Sequence, residues 1–251
     1  MQNVTLRHVD LSFRTKEAYK TLRSNIEFCG SDIHVISVTS CIPNEGKSQV
    51  SFAIAQSFAE AGRKVLMVDA DLRKSVMKEH LTRARVRYGL TNYLVGQCSL
   101  DECTCETDQS GMYMILAGPS TPTPSELLSG PKFQELIEES RKQYDYVIID
   151  TPPIGSVIDG AVVGKQCDGT ILNIGCAAVS YRFAQDVVEQ LKVAGCKILG
   201  CVLNKVEMSE GSAYGKYYGK YYGKYYGKYY GKYYGKYYGN YEEEQNQNGR
   251  S

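Results

Sequence analysis

The sequence predicts an α/β protein with a mostly parallel sheet flanked by helices, followed by a tail that takes no part in the sheet. Two patterns point to the sheet. Short β-branched runs alternate with amphipathic stretches, and one such run leads through "CIPNEGKS" (41–48) straight into a helical period. Strands that alternate with helices build parallel sheets covered on both faces. A third observation limits the fold: from about Ser209 the chain becomes a low-complexity run of Gly, Lys and Tyr. Residues 1–210 are therefore read as one domain and 211–251 as a separate tail.

In chain order, "TKEAYKTLRSNIEF" (15–28) puts Ala18, Tyr19, Leu22 and Ile26 on one stripe and predicts a helix. "HVISVTS" (34–40) reads as a strand, and "KSQVSFAIAQSFAEAG" (47–62) as a helix that stops at Gly62. Further strands are "KVLMVDAD" (64–71), "MYMILAG" (112–118), "YDYVIID" (144–150), "GTILNIG" (169–175) and "KILGCVLN" (197–204). Between them, 88–96 is read as holding a short helix. A longer helix runs over 125–142 with a break near Gly130-Pro131, and another lies near 180–194.

Charge and cysteine usage narrow the function classes. The formal net charge of +1 divides unevenly: residues 1–213 hold 22 Lys and Arg against 25 Asp and Glu, while the repeat that follows carries six lysines and no acid. A weakly acidic body argues against a dedicated nucleic-acid binder, although cations interleaved with aromatics are what single-strand binders use. No apolar run approaches the ~18 residues of a membrane span. The start lacks a signal-peptide layout. Nine cysteines at irregular spacings contain no C-x-x-C, which fits reduced thiols in a cytoplasmic protein. The three histidines, His8, His34 and His80, are scattered and are read as structural or surface residues.

"CIPNEGKS" resembles the phosphate-binding loop G-x-x-x-x-G-K-[ST], with Cys41 in place of the first Gly. Gly46 lets the backbone approach closely, and a helix N-terminus offers free N–H groups to an anion. Lys47 brings charge to the outer phosphates, and the Ser48 hydroxyl can ligate Mg²⁺. The fold class is accordingly a P-loop NTPase, with Pro43, Asn44, Glu45, Gly46, Lys47, Ser48 and Gln49 as the nucleotide-binding set. Two strands end in acids. Asp150 closes "YVIID", in the place of a Walker-B carboxylate. Asp69 and Asp71 close "VLMVDAD" and face the same side if the strand continues through them. Ligands bind at the carboxyl ends of such strands, so all three carboxylates are expected at the phosphates.

Together "VTSCIPNEGKS", "VLMVDADLRKS" and "YDYVIIDTPP" resemble the Walker A, A′ and B motifs of the bacterial tyrosine kinases. The type most similar is that of Gram-positive capsule and exopolysaccharide operons, whose kinase is separate from its membrane activator. "AGPSTPTPSELLSG" is similar to that family's Pro-rich loop and "EAYKTLRSNI" to its N-terminal helix motif. The sequence departs from the pattern at Cys41, Asn44, Thr123 (usually Asn), Ser75 (usually Pro) and Lys20 (usually Arg).

The resemblance implies an ATP- and Mg²⁺-dependent protein-tyrosine kinase that regulates polysaccharide synthesis and export. Lys47 would hold the phosphates, Ser48, Asp71 and Asp150 the metal, and Asp69 would take the tyrosine proton. Asn204, in "VLNKV", is read as an adenine contact, with a strand-end cap as the alternative. Glu17, Lys20 and Arg23, three residues apart on one helix face, would pair with a neighbouring subunit of a ring-shaped homo-oligomer. The partners implied are a transmembrane activator that recruits the kinase to the inner face of the cell membrane, and a cognate tyrosine phosphatase. The competing reading is a partition- or septum-type ATPase switch. Those enzymes carry an extra lysine five residues before the second one, and that position here is Ile42.

In the tail, G-K-Y-Y repeats six times from Gly215 to Tyr238. Fourteen of the 21 tyrosines lie there: Tyr214, Tyr217, Tyr218, Tyr221, Tyr222, Tyr225, Tyr226, Tyr229, Tyr230, Tyr233, Tyr234, Tyr237, Tyr238 and Tyr241. A Gly in every turn costs about 1 kcal/mol relative to Ala, which predicts a disordered segment. Mobile acceptors beside an ATP-driven site read as its substrate, a neighbouring subunit's tail entering the site.

Overall fold

The computed structural model describes residues 1–206; the tyrosine tail, predicted from the sequence as a separate disordered segment, lies outside the described residues. Met1–Lys205 forms one compact unit. In chain order its elements are β1 (Gln2–Leu6), α1 (Phe13–Glu27), β2 (Val35–Ser40), α2 (Lys47–Glu60), β3 (Val65–Asp69), a 3₁₀ turn (Met77–His80), β4 (Leu81–Ala84), α3 (Leu90–Leu94) and α4 (Leu100–Cys103). There follow β5 (Cys105–Thr107), β6 (Met112–Ile115), α5 (Pro124–Ser129), α6 (Pro131–Gln143), β7 (Tyr146–Asp150), α7 (Asp159–Gly164), β8 (Gly169–Gly175), α8 (Tyr181–Val193) and β9 (Ile198–Asn204).

The sheet order is β4-β1-β5-β6-β3-β7-β2-β8-β9. The six strands from β6 to β9 are mutually parallel, and they are the six the sequence predicts. At the other edge β5 pairs antiparallel with β6, β1 runs parallel to β5, and β4 closes the edge antiparallel to β1. These three strands, with α4 and α7, are additions that periodicity did not reveal.

Alternation along the central strands feeds two cores. Ile36, Val38, Val65, Met67 and Ile148 join the side chains of α2 in one cluster. Val35, Leu66, Val68, Val147 and Ile149 point the other way and join α3, α5 and α6. Such period-2 burial on both faces is what a doubly covered parallel sheet requires. The predicted break in the long helix falls at Gly130, whose extended backbone (ψ 165°) separates α5 from α6; Pro131 then opens α6. Ser12 and Ser180 cap α1 and α8 by accepting the N–H groups of Thr15 and Phe183.

Candidate active site

The phosphate-binding loop is held by what lies beneath it. Glu45 is buried, and its carboxylate accepts the N–H of Ile42 (2.9 Å) and of Gly175 (2.9 Å), tying the loop to the end of β8. Its carbonyl accepts the side-chain amides of Asn173 and Asn204, each at 3.0 Å. Gly46, at φ 83°, opens α2, and a Cβ there would fall 2.5 Å from the Asn204 amide nitrogen. Only glycine allows both that backbone and that neighbour. Asn204 thus supports the loop, and its Oδ1 accepts the Lys205 N–H at 2.8 Å. Lys205 reaches across to the Asn44 carbonyl at 2.6 Å.

Pro43, Asn44, Gly46, Lys47, Ser48 and Gln49 line a cavity of about 500 Å³ with Asp71, Arg73, Lys74, His80, Pro152, Pro153, Ser156, Val157 and Lys205 among its other walls. Glu45, predicted with this set, is turned into the protein instead. His80, read from sequence as structural or surface, faces this cavity and stacks on Phe52 at 4.7 Å; burial lowers its pKa.

Two of the three predicted carboxylates, Asp71 and Asp150, contact Lys47, and Asp69 acts on it through its charge alone. The Lys47 Nζ lies 3.2 Å from Asp71 Oδ2, 3.3 Å from Asp150 Oδ2 and 3.1 Å from Ser48 Oγ. Burial works against the ammonium, but Asp150 and Asp71 outweigh it and raise the Lys47 pKa, so the charge is retained. Ser48 donates to Asp150 Oδ2 at 2.6 Å, and Ser51 to Asp150 Oδ1 at 3.0 Å. Burial pushes Asp150 up despite Lys47, Ser48 and Ser51.

β3 ends at Asp69, so Asp71 is brought to the site by the turn beyond the strand rather than by strand alternation. Asp69 and Asp150 occupy matching register on adjacent parallel strands. Burial and the Asp150 charge push Asp69 up to about 7, against the pull of a hydrogen bond from Ser75. Both Asp69 oxygens are occupied: Oδ2 by the Ser75 hydroxyl and Oδ1 by the Asp71 N–H at 3.3 Å. Asp69 and Asp150 are each 1 % exposed and lie beneath the cavity floor, whereas Asp71 lines it.

Some contributors lie within the quoted motifs but were assigned no role there. Arg73 grips the buried Asp159 through Nε (2.7 Å) and Nη2 (3.1 Å). This joins the turn after β3 to α7 and, through Ser125, to α5. Burial pushes the Asp159 carboxyl up, but the Arg73 and Ser125 hydrogen bonds prevail and hold it below the usual range. The signal available in the sequence was only that Arg73 and Lys74 follow the Asp69/Asp71 pair.

Glu17, Lys20 and Arg23 lie on α1. Lys20 pairs with Glu17 at 2.7 Å, while Arg23 donates to the Ser57 carbonyl on α2 at 2.7 Å.

Known proteins fit this geometry. A family model described as "AAA domain" matches residues 33–195. The tyrosine-protein kinase CpsD of Streptococcus pneumoniae serotype 4 is 41% identical over 196 residues, 78% of this chain and 86% of that protein. Among solved structures, the kinase domain of Escherichia coli tyrosine kinase ETK superposes with a TM-score of 0.75 at 29% identity, covering 84% of this chain and 91% of that one. The chimerical protein CapA2B2 gives 0.72 at 26% identity, covering 82% and 94%. A P-loop domain of this kind binds nucleotide. With the loop, the paired strand-end aspartates and these likenesses together, the chain belongs to the bacterial tyrosine kinase family, in its capsule and exopolysaccharide branch, and is a tyrosine-protein kinase.

Proposed function

We propose that this kinase transfers the γ-phosphoryl group of ATP to the tyrosine cluster of a neighbouring copy, and thereby regulates synthesis and export of an extracellular polysaccharide. The observation that carries the chemistry is Lys47 held between Asp71, which lines the cavity, and Asp150 beneath it, with Asp69 beside Asp150 in the sheet. In transfer, the tyrosine oxygen bonds to phosphorus, the bond to the ADP oxygen breaks, and the phenolic proton goes to a carboxylate. Asp69, pushed up to about 7 by burial and the Asp150 charge, has the basicity to accept a proton near neutral pH, but it would have to be uncovered from beneath the cavity floor to do so. Asp71 lines the cavity and is the alternative acceptor. Lys47 neutralises the transferring phosphates.

The donor set fits Mg²⁺. A hydroxyl (Ser48) and two carboxylates (Asp71, Asp150) all lie within 3.3 Å of the Lys47 ammonium, an all-oxygen set gathered around a cation. When bound, Mg²⁺ supplies charge neutralisation for the phosphates. Ser48 and Ser51 orient Asp150 for that task. Asn204 acts on the nucleotide by holding the loop through Glu45, besides any contact to the adenine.

Among the described residues no helix is long and apolar enough to cross a membrane. Likeness to CapA2B2, a chimerical protein, supports work at the membrane through a CapA-type activator, with the kinase on the cytoplasmic side. Contacts through α1 would close a ring in which each tail meets a neighbour's site, and a cognate phosphatase would reset it. Incubating the full chain with ATP and Mg²⁺ and mapping phosphotyrosine by mass spectrometry tests the tail as substrate. Active chains should also label the tail of Lys47→Met chains, whereas Lys47→Met alone should label nothing. Absence of tail label in the wild-type chain would reject the proposal.

A further inference from the structure

A second groove, of about 700 Å³, runs between residues 154–158 and α8. Ser156 and Val157 line both this groove and the nucleotide cavity, so the two lie side by side. Its walls are apolar and uncovered: Ile158 is 65% exposed and Val193 88%. The loop packs closely at Gly155, where a Cβ would lie 2.3 Å from the Cys41 carbonyl oxygen and 3.2 Å from the Phe183 ring. Its rim is acidic. Glu189 is held by Lys192 at 2.7 Å, while Asp186 makes no ion pair among the described residues.

We infer that this groove is a docking site for unreacted Gly-Lys-Tyr-Tyr repeats of a second copy's tail; the inference rests on reading that tail as the substrate. The complementarity is chemical. Each repeat offers one cation for Asp186 and two aromatic rings for Ile158 and Val193, and no acid occurs before Glu242. It is also metric. An extended repeat spans roughly 13 Å, so with a tyrosine in the catalytic cavity the adjoining repeats come within reach of the groove beside it. The occupancy is self-limiting. A phosphotyrosine carries about −1.5 to −2 at neutral pH and is repelled by Asp186 and Glu189, so reacted repeats leave and fresh ones enter. Multisite labelling of a long tail follows from one docking groove beside one catalytic cavity.

The probe is a fluorescent (Gly-Lys-Phe-Phe)₃ peptide, which can dock but cannot accept phosphate, titrated by anisotropy against the full chain. Asp186→Lys combined with Ile158→Asp should weaken it by about fivefold or more, from a lost ion contact and apolar contact together. The ATP KM and the turnover of a single-repeat Gly-Lys-Tyr-Tyr peptide should not change. A three-repeat tyrosine peptide should show a lower KM than the single repeat in the wild-type chain, and the advantage should vanish in the variant. Equal probe affinity in both chains overturns the docking site. Since both substituted positions are exposed, a folded variant is expected; Asp186→Asn, weakening the probe less, gives an independent check. Variant-sensitive probe binding with no label on the chain's own tail would support the groove and reject the tail as substrate.

Discussion

The Ser75 hydroxyl donates to Oδ2 of Asp69 and accepts the backbone N–H of Met77, 3.3 Å away. Because that oxygen is engaged as an acceptor from Met77, its own proton is directed at the carboxylate. Under the proposed mechanism Ser75 would hold Asp69 as the base, with the Asp71 N–H fixing the other carboxylate oxygen. Ser75→Ala should lower kcat for tyrosine labelling by ~10-fold, the worth of one hydrogen bond to a charged group. Ser75→Thr should restore most of it, and the ATP KM should stay put. Steady-state kinetics on a tyrosine peptide decides this, and a change confined to the ATP KM would assign Ser75 to nucleotide binding.

Lys47 keeps two buried carboxylates company, so its loss touches stability as well as rate. Lys47→Met should abolish labelling and lower the stability of the nucleotide-free chain by about 3 kcal/mol, as for a broken buried pair. Added Mg²⁺ should recover much of the stability, because a cation again sits among Ser48, Asp71 and Asp150. Thermal melts with and without Mg²⁺ report it; a melt indifferent to Mg²⁺ would count against that donor set.

Asp168 joins three parts of the chain. It accepts both Arg141 guanidinium nitrogens (2.7 and 2.6 Å) and the N–H groups of His34 and Val35 (2.9 and 2.8 Å) at the start of β2. Burial pushes this carboxyl up, but the Arg141 and backbone hydrogen bonds prevail and lower its pKa. A depressed folded-state value means that the stabilisation is complete above the unfolded value of about 4 and fades as pH falls through the lower folded value. Asp168→Asn should cost about 2 kcal/mol at pH 7 and progressively less below pH ~4. Urea melts of both chains at pH 7 and at acid pH measure the difference, and a constant gap across pH would contradict it.

On α1, the subunit-pairing proposal is tested best at Glu17. Arg23 is bound to the Ser57 carbonyl, so altering it also disturbs the packing of α1 on α2. Glu17→Arg changes a surface position whose local pair, with Lys20, contributes no more than ~0.5 kcal/mol. Light scattering should then show smaller assemblies with an unchanged melting temperature. An oligomer of unaltered mass would move the contact elsewhere.

Sequence alone determined the strands of the parallel sheet and the longer helices, whose signals are local or periodic. The six parallel strands were legible because each is a continuous apolar run bounded by turns, and the break at Gly130-Pro131 because proline constrains the residue before it. Lys47, Ser48 and Asp150 were legible because loop, helix start and strand end are contiguous in the chain. Tertiary structure decided what depends on partners far along the chain. Strands β1, β4 and β5 are short and partly polar, and they exist through ladders joining residues 2–6 to 81–84 and 105–107. Glu45 turns inward because its carboxylate accepts the N–H of Gly175, more than a hundred residues away, while Asn173 and Asn204 hold its backbone carbonyl. Burial, and after it the Asp150 charge that a neighbouring strand places in register, push Asp69 up to about 7. No spacing along the chain carries that pairing, since it is created by the order of strands in the sheet.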